Sequence, residues 1–208
     1  MEEHQVIFKQ QNSRMCLVCG MKNKIGLMAR FYGLDDGRLI STFTAREEHQ
    51  SYPGRMHGGI AATILDETIG RAVMSPEVQL WGVTLDFSIK LRKPVPLGEP
   101  LRVVGQIDTE TKRSFVGCGQ LLLPDNTVAV EGRGKYLKMP LEKIADFDHA
   151  LEEWGVLEEE NDPKSFFYVL LFSKMYSFFS YIEKLCTCHA NSALIFASFP
   201  YFPPYITR

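Results

Sequence analysis

The sequence predicts an α+β fold in which an antiparallel sheet of about six strands wraps around one long helix. Two observations lead to this prediction. A single segment has the apolar periodicity of a largely buried helix, and short β-forming runs separated by turn signals lie on both sides of it. Because one helix can cover only one face of such a sheet, the other face needs another cover, and a second subunit is the expected one.

The strands before the helix are predicted at 26–32 and 38–44. Both runs are rich in β-formers, and Leu34-Asp-Asp-Gly37 between them is a turn signal, so together they indicate a hairpin. Residues 47–56 have no apolar period and contain proline and glycine, which is typical of a loop.

The predicted helix covers residues 58–74, where apolar side chains recur at three- and four-residue spacing, and it ends near Ser75-Pro76. Four strand-like runs divided by turn signals follow, at 81–91, 101–109, 114–123 and 127–137. The predicted order is therefore two strands, one helix and four strands.

Composition and charge exclude several classes of protein. The 23 Lys and Arg residues against 25 Asp and Glu give a formal charge of -2, so no overall field attracts nucleic acid, and none is expected as a partner. The N-terminus lacks the basic start and apolar stretch of a secretory signal, which favours a cytoplasmic protein. Five cysteines are too few and too sparse for a disulfide scaffold, so free thiols are expected.

The chain is predicted to have three parts. Residues 1–140 form the folded domain, residues 141–164 form an acidic, solvated helix or linker, and residues 165–208 form an aromatic-rich tail of unknown role. Residues 165–182 contain Lys174 as their only charge and approach the length of a membrane span. The alternatives are membrane contact, an extra helix packed on the domain, or a poorly ordered tail.

The helix start carries the first chemical signal. Gly58 and Gly59 expose unencumbered N–H groups at the positive end of the helix dipole, where an oxygen gaining negative charge is stabilised. The alternative is a tight turn that needs the freedom of glycine. His57, which enters the helix, either contacts substrate or only bonds the loop.

Asp66 carries the second signal, because it lies on a helix face of small residues where a carboxylate is costly to bury unless it is paired or used. The alternative is a carboxylate bonded to nearby backbone. Gly58 and Asp66 lie roughly 12 Å apart along the axis, so one chain cannot bring both to one reacting atom. Glu67 is the rival carboxylate, but Arg71 one turn later favours an ordinary ion pair on the helix surface.

The ordered motifs resemble one family. They are Cys16-Leu-Val-Cys-Gly20, Gly26-Leu27, Tyr52-Pro-Gly54, His57-Gly-Gly59 with a carboxylate nine positions after the histidine, and Lys93-Pro-Val-Pro-Leu-Gly98. Over roughly residues 16–137 the chain resembles the hotdog-fold thioesterases of the phenylacetate and 4-hydroxybenzoyl-CoA types.

The resemblance implies a hotdog fold and hydrolysis of an acyl-CoA or acyl-carrier thioester. Asp66 would activate a water or attack the carbonyl, the Gly58 amide of another subunit would polarise it, and Thr84 would help hold the water. Thr84 is equally an ordinary strand residue. The candidate substrate contacts are His57, Gly59, Ser51 and Glu67, although relatives often carry Asn or Gln where Ser51 stands. The expected assembly is a homodimer or a dimer of dimers, without metal or other cofactor.

Other functions remain open. A hotdog dehydratase uses a histidine and a carboxylate in an arrangement that this motif lacks, and a non-catalytic acyl-thioester-binding protein would keep the fold without turnover. Basic residues could meet the phosphates of coenzyme A or be solvated charges: Arg55, Lys90, Arg92 and Lys93. Cys16 and Cys19 are either buried, reduced thiols or, with Cys186, Cys188 and His189, zinc ligands.

Overall fold

The computed structural model describes residues 2–168, in which one eight-stranded antiparallel sheet surrounds one α-helix. In chain order the elements are β1 (Glu2–Lys9), β2 (Arg30–Leu34), β3 (Leu39–Thr44), α1 (Gly58–Arg71), β4 (Leu80–Leu91), β5 (Pro100–Glu110), β6 (Ser114–Leu122), β7 (Val128–Pro140) and β8 (Ser165–Tyr168). The strand order across the sheet is β4-β7-β6-β5-β3-β2-β1-β8. The predicted α+β class is confirmed, with the helix on one face of the sheet.

Helix α1 packs closely on the sheet because glycines on the strands leave room for it. A methyl group built on Gly82 would lie 2.5 Å from the carbonyl oxygen of Gly70, and one on Gly117 would lie 2.6 Å from Ile69 Cγ2. The helix residues buried against the sheet are Ala61, Ile64, Leu65, Thr68, Ile69, Gly70 and Arg71. The helix ends at Arg71, three residues before the predicted end.

Strand β4 forms one edge of the sheet, with β7 as its only neighbour among the described strands. It is 12 residues long, and Leu85 and Leu91 on it are 56% and 60% exposed. A long edge strand with apolar side chains presents unpaired backbone groups to whatever comes beside it.

The two strands that the sequence did not predict lie at the opposite edge. β1 pairs with β2 on one side and with β8 on the other, and Phe166 and Tyr168 of β8 are buried. The folded domain therefore continues past residue 140, as far as Tyr168.

The acidic stretch 141–164 contains a short 3-10 turn at Leu141–Lys143 and no α-helix, so the expected helix is absent. Its backbone bonds to the N-terminal region instead: the N–H groups of Asn12 and Arg14 donate to the carbonyls of Gly155 and Glu152. Some of its acids are paired with the folded domain: Lys9 Nζ lies 2.6 Å from Asp162, and Arg30 binds Glu159.

Residues 169–208 lie outside the described residues. The predictions for the tail beyond β8, which are membrane contact, an extra helix or a poorly ordered segment, fall on these residues. Among residues 2–168, no helix combines the length and the apolar character needed to cross a membrane.

Candidate active site

Three elements of the fold meet at Asp66. The residue lies on α1, above the two strands at the β4 edge of the sheet. Thr84 on β4 and Tyr136 on β7 are directly opposite each other in the antiparallel pair, so their side chains point to the same face. A β-bulge follows between Thr84 and Asp86, and bulges are common next to active sites because they re-aim side chains.

Both hydroxyl groups donate to the carboxylate of Asp66. Thr84 Oγ1 lies 3.0 Å from Oδ1 and 3.1 Å from Oδ2, and Tyr136 Oη lies 3.1 Å from Oδ1. The structure thus brings together Asp66 and Thr84, two of the predicted catalytic residues, and adds Tyr136.

The surroundings of Asp66 perturb its protonation. Partial burial raises the pKa of Asp66 above its usual value, the hydrogen bonds from Thr84 and Tyr136 oppose that shift, and the nearby charge of Glu67 adds to it. Burial and the neighbouring Asp66 also raise the pKa of Tyr136, so its hydroxyl stays protonated and remains a donor. The result is a carboxylate whose pKa is moved towards neutral pH, as a general base requires.

The N-terminus of α1 keeps one donor available. The Gly59 N–H donates to His57 Nδ1 at 2.8 Å, and the N–H groups of Ile60 and Ala61 donate to the His57 carbonyl at 3.0 and 3.2 Å. Within residues 2–168 no group accepts a hydrogen bond from the Gly58 amide. Of the first four N–H groups of the helix, Gly58 therefore offers the one that can bind a ligand oxygen. His57 is the N-cap residue of α1, and its side chain accepts the hydrogen bond from the Gly59 N–H.

Gly58 lines a pocket of about 360 Å³ on the surface of the domain. Ser51 lines the same pocket, together with Arg55 and Lys93. Arg92 also lines it, but its guanidinium is bonded to Glu131 at 2.8 and 2.9 Å. A larger pocket of about 620 Å³, lined by Leu27, Phe43 and Arg102 among others, contains none of the predicted site residues.

The two halves of the predicted site do not converge in one chain. Gly58 opens α1 and Asp66 follows eight residues later, so roughly 12 Å of helix separates them. A single thioester carbonyl cannot reach both groups of the same helix.

Glu67 points away from Thr84 and Tyr136 and pairs with Arg71, whose Nε lies 2.6 Å from Glu67 Oε1. The predicted ion pair between Glu67 and Arg71 is present, but it does not lie on the helix surface as predicted, because Arg71 is only 2% exposed. Its guanidinium lies over the rings of Phe31 and Trp81, at 4.4 and 4.8 Å from their centroids. Glu67 therefore serves to neutralise a buried cation.

Cys16 and Cys19 are free thiols beside this pair. Their sulfurs and the Glu67 carboxylate lie within 4.8 Å of one another, one of two groups among the described residues with three candidate metal ligands; the other is His4, Asp35 and Asp36. Arg71 Nη2 lies 3.2 Å from Cys19 Sγ. A hydrogen bond from Cys16 and the charge of Arg71 lower the pKa of Cys19 to about 6. Arg71 supplies the positive charge that a metal would otherwise bring, which argues against a cation there. Cys186, Cys188 and His189 lie outside the described residues.

Tyr136 is the site residue that sequence reasoning missed. It stands in a strand-forming run between Lys135 and Leu137, and nothing in that pattern distinguishes it from an aromatic residue of the core. The pairing of residue 136 with Thr84 was the missing information, and only the strand register supplies it.

Comparison with known proteins supports one family. Residues 53–129 match the sequence profile of the thioesterase superfamily. Over 116 residues the chain is 32% identical to acyl-coenzyme A thioesterase THEM4 of Mus musculus, covering 55% of this chain and 49% of the relative. Over 71 residues it is 31% identical to acyl-coenzyme A thioesterase 13 of Homo sapiens, covering 34% of this chain and 51% of the relative. The chain thus spans about half the length of the curated relatives it matches.

Solved structures agree with the sequence comparison. A crystal structure of a thioesterase superfamily protein superposes with a TM-score of 0.54 at 30% identity, over 59% of this chain and 63% of that one. A thioesterase from Haemophilus influenzae superposes with a TM-score of 0.52 at 15% identity, over 59% and 86% of the two chains, a likeness of fold alone. Residues 53–129 are therefore similar in sequence to the thioesterase superfamily, and the domain described by residues 2–168 has the hotdog fold of its solved members.

Proposed function

We propose that the chain hydrolyses acyl-CoA or a related acyl thioester, at a site that Asp66 of one subunit and Gly58 of another complete together. The observation that carries the proposal is the Asp66 carboxylate, held by Thr84 and Tyr136 on the flank of α1 that faces the edge strand. The names of the relatives THEM4 and acyl-coenzyme A thioesterase 13 support the substrate class.

The proposed chemistry needs no group beyond these residues and water. The ionised carboxylate of Asp66 removes a proton from a water, whose oxygen adds to the thioester carbon, or the carboxylate itself adds to that carbon. The carbonyl oxygen then carries negative charge, which the Gly58 N–H and the positive end of α1 stabilise. Breakage of the C–S bond then releases the thiolate. When water is the nucleophile, the thiolate takes up the proton that Asp66 removed, and the free acid is left. When the carboxylate is the nucleophile, a mixed anhydride with Asp66 forms, and a water then hydrolyses it, which protonates the thiolate, releases the acid and restores Asp66.

A second subunit follows from the distance between the two groups. With roughly 12 Å between Gly58 and Asp66 on one helix, two antiparallel helices side by side would bring the Gly58 of each to the Asp66 of the other. The unpaired edge of β4 with its exposed Leu85 and Leu91 supports a contact on that flank of the domain. The proposed assembly is a homodimer or a dimer of such dimers.

The first experiment compares thiol release from short, medium, long and aryl acyl-CoAs by the full chain and by Asp66→Asn. We expect kcat to fall by about 10³-fold or more in the variant while its oligomeric state is kept. Glu99→Gln is the matched control, because it neutralises an exposed carboxylate outside the site and should leave the chemistry in place. No turnover on any substrate, combined with binding of acyl-CoA, would instead indicate a non-catalytic binding protein; hydration of an enoyl thioester would indicate a dehydratase.

The Gly58 amide can be tested with a pair of variants. Gly58→Pro removes the N–H at the first helical position, where proline is well tolerated and where His57 already has the extended conformation (φ -65°, ψ 136°) that proline requires before it. Gly58→Ala keeps the N–H and adds a Cβ that meets only the flexible end of Leu91, at 3.1 Å. We expect the proline variant to lose about 10²-fold in kcat and the alanine variant to lose much less.

Mixed assemblies test whether the site spans two subunits. Neither Asp66→Asn nor Gly58→Pro alone should be active, but a mixed dimer has one site with both wild-type groups. Random pairing should therefore restore about a quarter of the wild-type rate, since half of the dimers are mixed and each has one intact site of two. A site within one chain predicts no recovery on mixing.

We also propose a reducing compartment, and specifically the cytoplasm, as the place of action. The support is that the described cysteines Cys16, Cys19 and Cys118 are free thiols.

A further inference from the structure

We propose that Tyr136 is a positioning residue that fixes the Asp66 carboxylate so that Oδ2 is the oxygen that acts on water or on the thioester. The inference rests on the proposed function and adds to it the role of Tyr136 and the identity of the reacting oxygen, Oδ2. The starting observation is that the two carboxylate oxygens have unequal surroundings.

The two oxygens differ in the hydrogen bonds they accept. Tyr136 Oη lies 3.1 Å from Oδ1, while Thr84 Oγ1 lies 3.0 Å from Oδ1 and 3.1 Å from Oδ2. A threonine hydroxyl has one proton to share between the two oxygens, whereas the tyrosine hydroxyl donates to Oδ1 at 3.1 Å and otherwise reaches only the backbone carbonyl of Asp66, at 3.5 Å. Oδ1 therefore has two donors within reach and Oδ2 has one, which leaves Oδ2 with more of its lone-pair density available to a water.

The tyrosine hydroxyl is held in place from several sides. The Tyr136 ring is wholly buried and stacks on Phe115, with centroids 4.9 Å apart and planes 14° from parallel. A Cβ built on Gly134 would lie 2.6 Å from Tyr136 Oη, and one on Gly70 would lie 3.3 Å from its Cε1. Glycine at both positions leaves the space that the phenol fills, and the buried, stacked ring holds the hydroxyl beside Asp66.

The position of the donor also affects the charge on Asp66. Burial raises the pKa of this carboxyl, and the hydrogen bonds from Thr84 and Tyr136 oppose the shift. Without the tyrosine hydroxyl, ionisation of Asp66 would be harder, so Tyr136 both selects the reacting oxygen and favours the ionised form of the carboxyl.

The closing experiment compares the pH dependence of kcat in the full-length protein, in Tyr136→Phe and in Tyr32→Phe. Tyr136→Phe keeps the ring and removes the donor. Tyr32→Phe is the matched control, because Tyr32 is equally buried and its hydroxyl also bonds a carboxylate, that of Asp162 at 2.9 Å, but on β2. We expect Tyr136→Phe to lose on the order of tenfold in kcat with little change in KM, and its acid limb to move to higher pH. The control should keep the wild-type profile.

A second readout does not depend on activity. Carbon-13 NMR of aspartate carboxyls, assigned with Asp66→Asn, should report a higher pKa for Asp66 in Tyr136→Phe than in the wild type. A second variant, Gly134→Ala, keeps the hydroxyl but displaces it, and should shift the same pKa in the same direction; Gly132→Ala, whose Cβ would meet apolar side chains at 3.3 to 3.4 Å, should not.

The outcomes separate the two proposals. An inactive wild-type protein overturns the proposed function. An active wild type together with a Tyr136→Phe variant that keeps both kcat and the position of the acid limb overturns the role of Tyr136 and leaves the function standing. A lowered kcat with no change in the Asp66 pKa also overturns it, because a general loosening of the fold would produce that result.

Discussion

Thr84 and Tyr136 are cross-strand partners on β4 and β7, and their hydroxyl groups meet on one carboxylate, that of Asp66. One of the two comes from the exposed edge strand and the other from the interior of the sheet. Asp66 is thereby fixed to two strands at once, while the side of the carboxylate next to the edge strand stays accessible to a ligand or to another subunit.

Removing the Thr84 hydroxyl should reduce turnover. Thr84→Val keeps the shape of the side chain but leaves Asp66 without its donor from the edge strand, so we expect kcat to fall about tenfold. Thr84→Ser keeps the hydroxyl and should retain most of the rate. Steady-state kinetics on one acyl-CoA checks this, and equal rates for the valine and serine variants would assign Thr84 a purely structural role.

Asp66 should cost the protein stability at neutral pH. Its carboxyl pKa is higher in the folded chain than in the unfolded one, so the folded state binds the proton more tightly. The stabilisation is complete below the unfolded pKa of about 4 and is lost as pH rises through the folded pKa. Asp66→Asn should therefore have a higher midpoint temperature of thermal unfolding than the wild type at pH 7, and the difference should shrink as the pH falls towards 4. A wild type that is the more stable protein at pH 7 would contradict this.

Arg71 should be among the most sensitive positions for stability. It is buried, pairs with Glu67, lies over Trp81 and donates to the Gln11 carbonyl at 2.9 Å. Lysine keeps the charge but cannot make these contacts together, so Arg71→Lys should lower the free energy of unfolding by about 2 to 3 kcal/mol in urea titrations. Arg113→Lys, at an exposed position, is the control and should change it by less than about 0.5 kcal/mol.

The pairing of β8 with β1 at one edge of the sheet can be tested with two truncations. A chain that stops after residue 162 loses β8, whereas one that stops after residue 168 keeps it. The shorter chain should be less stable by about 2 to 4 kcal/mol, since burying a large side chain contributes about 1.5 to 3 kcal/mol and Phe166 and Tyr168 are both buried. Equal urea midpoints for the two chains would mean that β8 adds nothing to the fold.

The sequence was sufficient for the elements that carry regular patterns. The helix start at Gly58 and the strands β2 to β7 are predicted by apolar periodicity, β-forming residues and turn signals. β2 begins at Arg30, four residues later than the predicted start. β1 was missed because only His4 of its eight residues is buried, so no alternation is visible. β8 was missed because its four residues follow an acidic stretch and read as part of an aromatic tail.

The candidate site was predictable only in part. Asp66 and Gly58 were found because a carboxylate and paired glycines are unusual on a buried helix. The partnership with Tyr136 depends on strand register across more than fifty residues of chain, which no local pattern encodes.

The pairing of β1 with β8 also sets an order for biosynthesis. Glu3 lies opposite Phe167, so β1 finds its outer neighbour only after nearly all of the described domain has been made. Until then β1 presents an unprotected edge to other nascent chains. A pause in translation at any point before β8 has been made should therefore prolong the exposure of this edge and increase the demand for chaperones.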